Sequence, residues 1–286
     1  MRKTIHLVLL CLLVAACQKA DLGGLQNLSG DRIHILGHGG VGFSTATRAL
    51  PPNSRESILR AVEGWNADGV DVDVHMGADS VLWLYHDPRL ATQTNCQGCI
   101  FQKTEQELVD CRYRRANGIH WGQDGGLVKL EEIVERWRER AFPPYLYLDL
   151  REPIDCPLTE DAELFFSRMA RALKRLVLRY NEEKVLIEAD NSLLVRQLLQ
   201  QMPNAKIVYG GFFDQTIETL IANGALFGLV FNFKGPSASQ IKEWHQRGLR
   251  IVLWDVRIRS AAIEAAEKSP DFIISDNIPL LQEVIR

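Results

Sequence analysis

From Leu127 to the end of the chain, apolar runs of strand length alternate with amphipathic segments of helix length, and this rhythm restricts the fold more than any other feature. Helix 130–140 precedes strand 145–150, and helix 161–180 precedes strand 185–188. Helix 192–201 stops before Pro203, and strand 206–209 follows. Helix 215–222, strand 226–231, helix 237–247, strand 250–256, helix 260–267, strand 272–275 and helix 279–285 complete the series. Strands that alternate with helices predict a parallel sheet. Upstream, Ile33 to Leu36 reads as a buried strand stopped by Gly37. Pro51-Pro52-Asn53-Ser54 opens a helix over 55–66 with Ile58, Ala61, Val62 and Trp65 on one face. The stretch 71–85 supplies two further strands. The architecture expected is an α/β (β/α)8 barrel with one strand in excess, so either the Val81–Tyr85 run or the last strand lies outside strict barrel order. No internal repeat and no linker to a second domain interrupts residues 32–286. With 46% hydrophobic and 24% charged residues, a chain of 286 is long enough for one large core. No basic run and no basic patch interleaved with aromatics points to nucleic acid.

The chemistry concentrates in Asp71–Asp87, DVDVHMGADSVLWLYHD. Asp71 and Asp73 lie two apart among valines, so on a strand they share one face and can converge on a cation. His75 shares that parity, although a loop position just past the strand is the stronger expectation for it. A turn with Gly77 and Asp79 leads into a second apolar run that ends in His86-Asp87. Three more apolar runs end in reactive side chains: His38 after Ile33–Leu36, Asp149 and Arg151 after Tyr145–Leu148, and Trp254 within Arg250–Val256. In a (β/α)8 barrel the strand carboxyl ends carry the active site. His38 sits in Gly37-His38-Gly39-Gly40-Val41-Gly42, where glycines let the backbone approach a ligand. No Gly-Lys-Ser/Thr follows, so this is not a P-loop. Three carboxylates offer only oxygen, which suits Ca2+ or Mg2+ better than zinc.

These motifs resemble the signature of the glycerophosphodiester phosphodiesterase family, whose barrel is of the PLC-like phosphodiesterase type. Asp71, Asp73-Val74, Asp79 and His86-Asp87 fall on the family's acidic-x-Asp-Val, turn and His-Asp pattern without a gap. His38-Gly39-Gly40 stands where the family has His-Arg-Gly, and Asn53-Ser54 where it has Glu-Asn-Thr. Asp149-Leu150-Arg151 stands for Glu-x-Lys, Trp254-Asp255-Val256 for Trp-Thr-Val, and Ile273-Ile274-Ser275-Asp276 for Ile-Ile-Thr-Asp. The resemblance implies metal-assisted hydrolysis of a glycerophosphodiester to glycerol 3-phosphate and an alcohol. By position, Asp71, Asp73 and Asp149 would hold a divalent cation, Ca2+ or Mg2+, and His38 and His86 would form the general acid/base pair. Arg151 would clamp the phosphate and Trp254 would wall the pocket. The chain departs from the pattern at Gly39, Pro52 and Arg151, and both glutamate ligands are shortened to aspartate. A related lipid-headgroup phosphodiesterase, similar to sphingomyelinase D or a lysophospholipase D, is the alternative enzyme. A non-catalytic envelope lipoprotein that binds phosphodiesters is the alternative outside catalysis.

The start of the chain reads as a targeting segment. Arg2 and Lys3 precede the short apolar stretch Leu7–Ala16, too short to span a bilayer. Leu13-Val14-Ala15-Ala16-Cys17 resembles a bacterial lipoprotein cleavage box, which implies residues 1–16 as signal peptide and an acylated Cys17. Loss of Arg2 and Lys3 takes the net charge from −3 to −5. Residues 17–31 then form a polar tether, and Gln18 favours the outer membrane. The expected location is the bacterial cell envelope, lipid-anchored and facing the periplasm. The four cysteines beyond the anchor, Cys96, Cys99, Cys111 and Cys156, suggest two disulfides in one of three pairings. Three of them lie in a long polar connection, 88–126, expected to form a pinned wall of the pocket that includes His120 and Trp121.

Overall fold

The computed structural model describes residues 27, 30–43, 50–114, 125–153, 156–158 and 160–286. The signal segment, Cys17, most of the tether, His120 and Trp121 lie outside the described residues. Eight parallel strands close into a barrel: β1 (His34–His38), β2 (Gly69–Met76), β5 (Tyr145–Leu150), β6 (Val185–Ala189), β7 (Lys206–Tyr209), β8 (Gly228–Asn232), β9 (Arg250–Val256) and β10 (Phe272–Ser275). Each pairs with the next, and β1 pairs with both β10 and β2 to complete the ring. The expected (β/α)8 barrel is therefore what the chain forms.

The excess strand is the Val81–Tyr85 run. It forms β3 (Leu82–Leu84), antiparallel to β2 with Val74 opposite Leu84 and Met76 opposite Leu82. Its outer neighbour is the two-residue β4 (Val128–Lys129). β1 pairs with β2 only as far as Asp71, so β3 takes the free edge of β2 above that point and runs back down. Tyr85 N–H donates to Asp73 O at 3.0 Å, which returns the next residue, His86, to the level of the barrel mouth.

The alternation expected of strands sorts the core into two layers. Val70, Val72, Val74 and Met76 of β2 face outward into the large helix–sheet core, with Ile35, Leu146, Leu148 and Ile187 from neighbouring strands. Leu36, Tyr147, Leu186, Val208, Val252 and Ile274 fill the barrel interior. The helices cover the outer layer. Asp161 Oδ1 accepts from Glu163 N–H at 2.8 Å and starts α4 (Ala162–Val177), whose Phe165, Phe166, Met169, Ala170 and Leu173 are buried. Asn191 caps α5 (Ser192–Gln201) and Asp214 caps α6 (Gln215–Ala222) in the same way. α7 (Ala238–Gln246), α8 (Arg259–Glu267) and α9 (Ile278–Ile285) follow their strands. The helix expected over 55–66 is α1 (Arg55–Leu59) continued by a wider π turn, Arg60–Gly64, and it stops before Asn66, which takes a positive φ of 53°. The short α2 (Glu105–Leu108) lies in the cysteine-bearing connection, and α3 (Leu130–Trp137) follows β4.

The disulfides are Cys96–Cys111 and Cys99–Cys156. The first closes the connection on itself. The second ties it to the segment that follows Arg151, so it joins the loop after His86 to the loop after β5. Its 57-residue separation predicts stabilisation of about 4 kcal/mol from the unfolded chain's lost freedom. Denaturant melts of the Cys99→Ser/Cys156→Ser variant are expected to show that loss.

Candidate active site

Every functional side chain at the barrel mouth owes its place to the end of a strand. On β2, Asp71 and Asp73 point inward while Val70, Val72 and Val74, which alternate with them, point out. Register sets His38 of β1 opposite Asp71, Asp73 opposite Asp149 of β5, and Asp149 opposite Glu188 of β6. The sequence-expected residues His38, Asp71, Asp73, Asp149 and Arg151 thus gather at the carboxyl ends of three neighbouring strands, His38 and Asp71 one step deeper than Asp73 and Asp149.

His38 is held from behind. Its Nδ1 lies 2.8 Å from Asp276 Oδ1, just past β10, and its Nε2 lies 4.0 Å from Asp71 Oδ2. Burial works against a charge on His38, but the Asp276 hydrogen bond and the negative charge of Asp71 outweigh it and raise its pKa above the ordinary value. Asp276 is itself fixed by Phe43 N–H at 3.0 Å and by Arg257 Nε at 3.1 Å. His86 is half-exposed, with Nδ1 3.3 Å from Asp87 Oδ1. The Phe43 ring packs against both imidazoles, with centroids 4.3 Å from His38 and 5.1 Å from His86. This ring explains Gly39: a Cβ there would meet the Phe43 ring at 2.5 Å, and Gly39 has a positive φ of 53°.

The carboxylates divide into two settings. Asp73 exchanges hydrogen bonds with Asn53, whose Nδ2 donates to Oδ2 at 2.6 Å and whose Oδ1 accepts Asp73 N–H at 3.0 Å. Arg151 Nε donates to Asp73 Oδ1 at 2.6 Å, and its Nη2 contacts both Asp73 Oδ1 and, at 2.9 Å, Asp149 Oδ2. Burial opposes the charge of Asp73, but this guanidinium prevails and its pKa is lowered. Asp71 lacks such a partner. Burial, with added repulsion from Asp73 and Asp149, holds it well above the carboxylate range despite His38. Desolvation, against the pull of Arg151 and with repulsion from Asp73, lifts Asp149 to about 7.

Among the described residues no three His, Cys, Asp or Glu side chains converge on one point. The donor set nonetheless fits a hard cation. Its ligands are oxygens from adjacent strands, and three carboxylates face a single guanidinium there. Arg151 bridges two of the three expected ligands in this arrangement.

Three residues go beyond the sequence expectations. His75 lies inside β2 rather than in a loop past it; it is buried, and its Nε2 sits 3.3 Å from His86 O. The run from Gly69 stays paired through Met76 because β3 continues its edge, which is why the strand outlasts the expected loop. Burial lowers the His75 pKa to about 4, so the ring is neutral and can donate to that carbonyl. It holds the backbone carbonyl of His86 in place. His75→Ala is expected to lower kcat about 10- to 100-fold, in line with the cost of a small misplacement, with KM little changed, whereas His75→Gln, which keeps a donor, recovers most of it. Steady-state kinetics of both variants check this. Glu188 faces the mouth beside Asp149, and desolvation with repulsion from Asp149, Asp190 and Asp71 holds its pKa well above the ordinary value. The run Val185-Leu186-Ile187 ends in this charge, the same signal that marks Asp149. Asp276 was visible within its motif, but its role on His38 was not. Trp254 is 39% exposed, at the end of β9 opposite Asn232, so it borders the mouth and does not pack in the core.

Comparison with known proteins agrees with this geometry. The sequence profile of the glycerophosphoryl diester phosphodiesterase family matches residues 45–280. The glycerophosphodiester phosphodiesterase of Caldanaerobacter subterraneus subsp. tengcongensis is 24% identical over 165 residues, and the match spans 56% of this chain and 61% of that relative's length. A provisionally assigned glycerophosphoryl diester phosphodiesterase from Silicibacter pomeroyi shares the fold with a TM-score of 0.75 and 18% identity, over 92% of this chain and 95% of the other. An Oleispira antarctica phosphodiesterase, solved in complex with the product sn-glycerol-3-phosphate, superposes with a TM-score of 0.70 and 16% identity, over 88% and 96% of the two chains. Strand order, the placement of the motif residues and the extent of the profile match lead to one assignment: the chain belongs to the glycerophosphoryl diester phosphodiesterase family.

Proposed function

We propose that the protein hydrolyses glycerophosphodiesters to glycerol 3-phosphate and an alcohol. The observation that carries this reading is the barrel mouth, where an imidazole held by Asp276 faces a carboxylate cluster and a guanidinium. Asp71, Asp73 and Asp149 would hold a divalent cation, Ca2+ or Mg2+, which when bound supplies Lewis-acid polarisation of the phosphoryl oxygen. The carboxylates around His38 favour its protonated form, so it is assigned as general acid to the departing oxygen. His86, with its carbonyl held by His75, is assigned as general base toward the attacking nucleophile. Arg151, whose side chain is 30% exposed toward the mouth, is placed to meet the phosphate. Trp254 borders the entrance. A lysophospholipid is the second reading of the substrate, favoured by the exposed Phe212, Phe213, Trp254 and Ile258 that follow β7 and end or follow β9 at the same mouth.

The reading extends to the amino terminus: Cys17 is acylated after removal of residues 1–16, and the barrel is held in the bacterial envelope on its periplasmic side. The test is glycerol 3-phosphate release from glycerophosphocholine and glycerophosphoethanolamine with Ca2+, with Mg2+ and with EDTA. Metal-dependent release is the expected result. A folded protein that releases no glycerol 3-phosphate at any metal concentration would leave another lipid-headgroup substrate, such as a lysophospholipid, or the non-catalytic alternative.

A further inference from the structure

The described chain enters the barrel at the end opposite the site. Asn27 is buried there; its Nδ2 donates to Asp271 Oδ1 at 3.2 Å and its Oδ1 accepts Asp31 N–H at 3.0 Å. Asp271, just ahead of β10, is gripped in turn by Ile251 N–H at 2.7 Å, His245 Nε2 at 2.8 Å and Arg250 Nη1 at 3.1 Å. The same end of the barrel carries two conspicuous apolar side chains. Phe142, in the turn before β5, is 93% exposed, although Tyr180 Oη donates to Pro144 O at 2.8 Å and fixes that turn. Leu178, at the C-terminus of α4 ahead of β6, is 61% exposed and edges an apolar cleft of about 200 Å³ with Val177, Met202 and Pro203. Lys174 and Lys206 rim that cleft, and Arg32, Arg140 and Lys184 surround the other flank of Phe142.

We propose that this amino-terminal end of the barrel is a membrane-docking face, seated on the phospholipid headgroups of the bilayer that holds the acylated Cys17, so that the catalytic mouth opens away from that bilayer into water. The proposal rests on the anchored-phosphodiesterase reading above and names its substrate class: diesters dissolved in water, rather than headgroups still embedded in the same membrane. Ten residue steps separate Cys17 from Asn27, a reach of at most roughly 35 Å when fully extended. That tether starts from the face that bears Phe142 and not from the mouth. An aromatic ring at a rigid turn, with lysines and arginines around it, matches the boundary between acyl chains and phosphates. Much of the basic charge is already paired, Lys206 with Glu183, Arg140 with Glu63, and Arg32 with Asp68. The face is therefore only weakly attracted to anionic lipid by itself, and the anchor supplies the effective concentration that keeps it seated.

The test uses the full protein, processed in cells, purified in detergent and reconstituted into phosphatidylethanolamine/phosphatidylglycerol vesicles. An environment-sensitive fluorophore is attached at Phe142→Cys or at Phe212→Cys, and quenching by doxyl-labelled lipid is measured. The expected result is strong quenching and a blue shift at position 142, with neither at position 212. Quenching at 212 instead of 142, or at neither position, overturns the proposal. Absence of an acyl group on Cys17 by mass spectrometry overturns it as well. Glycerol 3-phosphate release by the same detergent-solubilised samples reports on the phosphodiesterase reading separately, since residue 142 is remote from the site. Phe142→Glu is expected to keep that release while it reduces position-specific seating on vesicles.

Discussion

Replacement of His38 by alanine is expected to lower kcat for glycerophosphocholine about 10²- to 10⁴-fold, the usual contribution of a positioned acid or base, with a smaller change in KM. The reasoning starts from its partners. Asp276 fixes one ring nitrogen at 2.8 Å and the other is turned toward Asp71. The ring is therefore both oriented and biased toward the proton-bearing form. Asp276→Asn keeps the shape and removes the charge. It is expected to lower the His38 pKa, because the Asp276 hydrogen bond and charge act with Asp71 to raise it against burial. If His38 donates its proton in the slow step, activity falls as pH rises through its pKa, and the alkaline limb of the pH–rate profile moves to lower pH in Asp276→Asn. A movement of the acid limb instead would reverse the assignments of His38 and His86. A profile that does not move, with kcat merely lowered, would make Asp276 a structural support alone.

The order of strands and helices was legible because each apolar run ends at a turn residue or a charge, and backbone geometry permits few ways to bury such runs. The strands expected at 145–150, 206–209, 250–256 and 272–275 and the helices at 192–201 and 215–222 form over those residues. Their edges are marked by Gly, Pro, Asn or Asp, which satisfy helix ends or forbid continuation. What was not legible depends on pairing across space. A short, continuous apolar character shows that Val81–Tyr85 is a strand, but not that it lies antiparallel on the outer part of β2. The two residues of β4 are too few to carry a pattern. The four cysteines gave a count, while their pairing depends on how the loop after His86 meets the segment after Arg151. The same limit hid His75. Its parity with Asp71 and Asp73 was plain, but its contact with the carbonyl of His86 exists only because β3 doubles back. Asp71, Asp73 and Asp149 were legible as a cluster; the bridge that Arg151 makes between two of them was not, since side-chain reach is not written in spacing.

That bridge leads to the second large effect. In Arg151→Ala, metal-free protein is expected to lose about 3–5 kcal/mol of stability at neutral pH, because the variant leaves Asp73 and Asp149 recessed together without a counter-charge. The same variant is expected to bind Ca2+ or Mg2+ about 10- to 100-fold more tightly, since the guanidinium no longer holds two of the ligands, and charged hydrogen bonds of this kind are worth about 1.5–3 kcal/mol. The pH dependence has a fixed sign. Asp149 in the folded chain titrates at about 7, above its unfolded value of 3.8, so its ionisation opposes folding. Metal-free stability from this group therefore falls as pH rises from about 4 to about 7 and levels off above that. A bound cation favours the ionised form and should flatten or reverse the trend. Turnover is expected to fall in Arg151→Ala even when metal is saturating, because the phosphate loses its clamp. Isothermal titration with each metal and thermal melts at pH 5 and pH 8, with and without metal, separate the two effects. Tighter metal binding with slower turnover would show that Arg151 competes for the carboxylates at rest and serves the phosphate in the reaction. Weaker metal binding in the variant would mean instead that Arg151 arranges the ligands for the cation, and the bridge would then be part of the site's assembly rather than a rival to its metal.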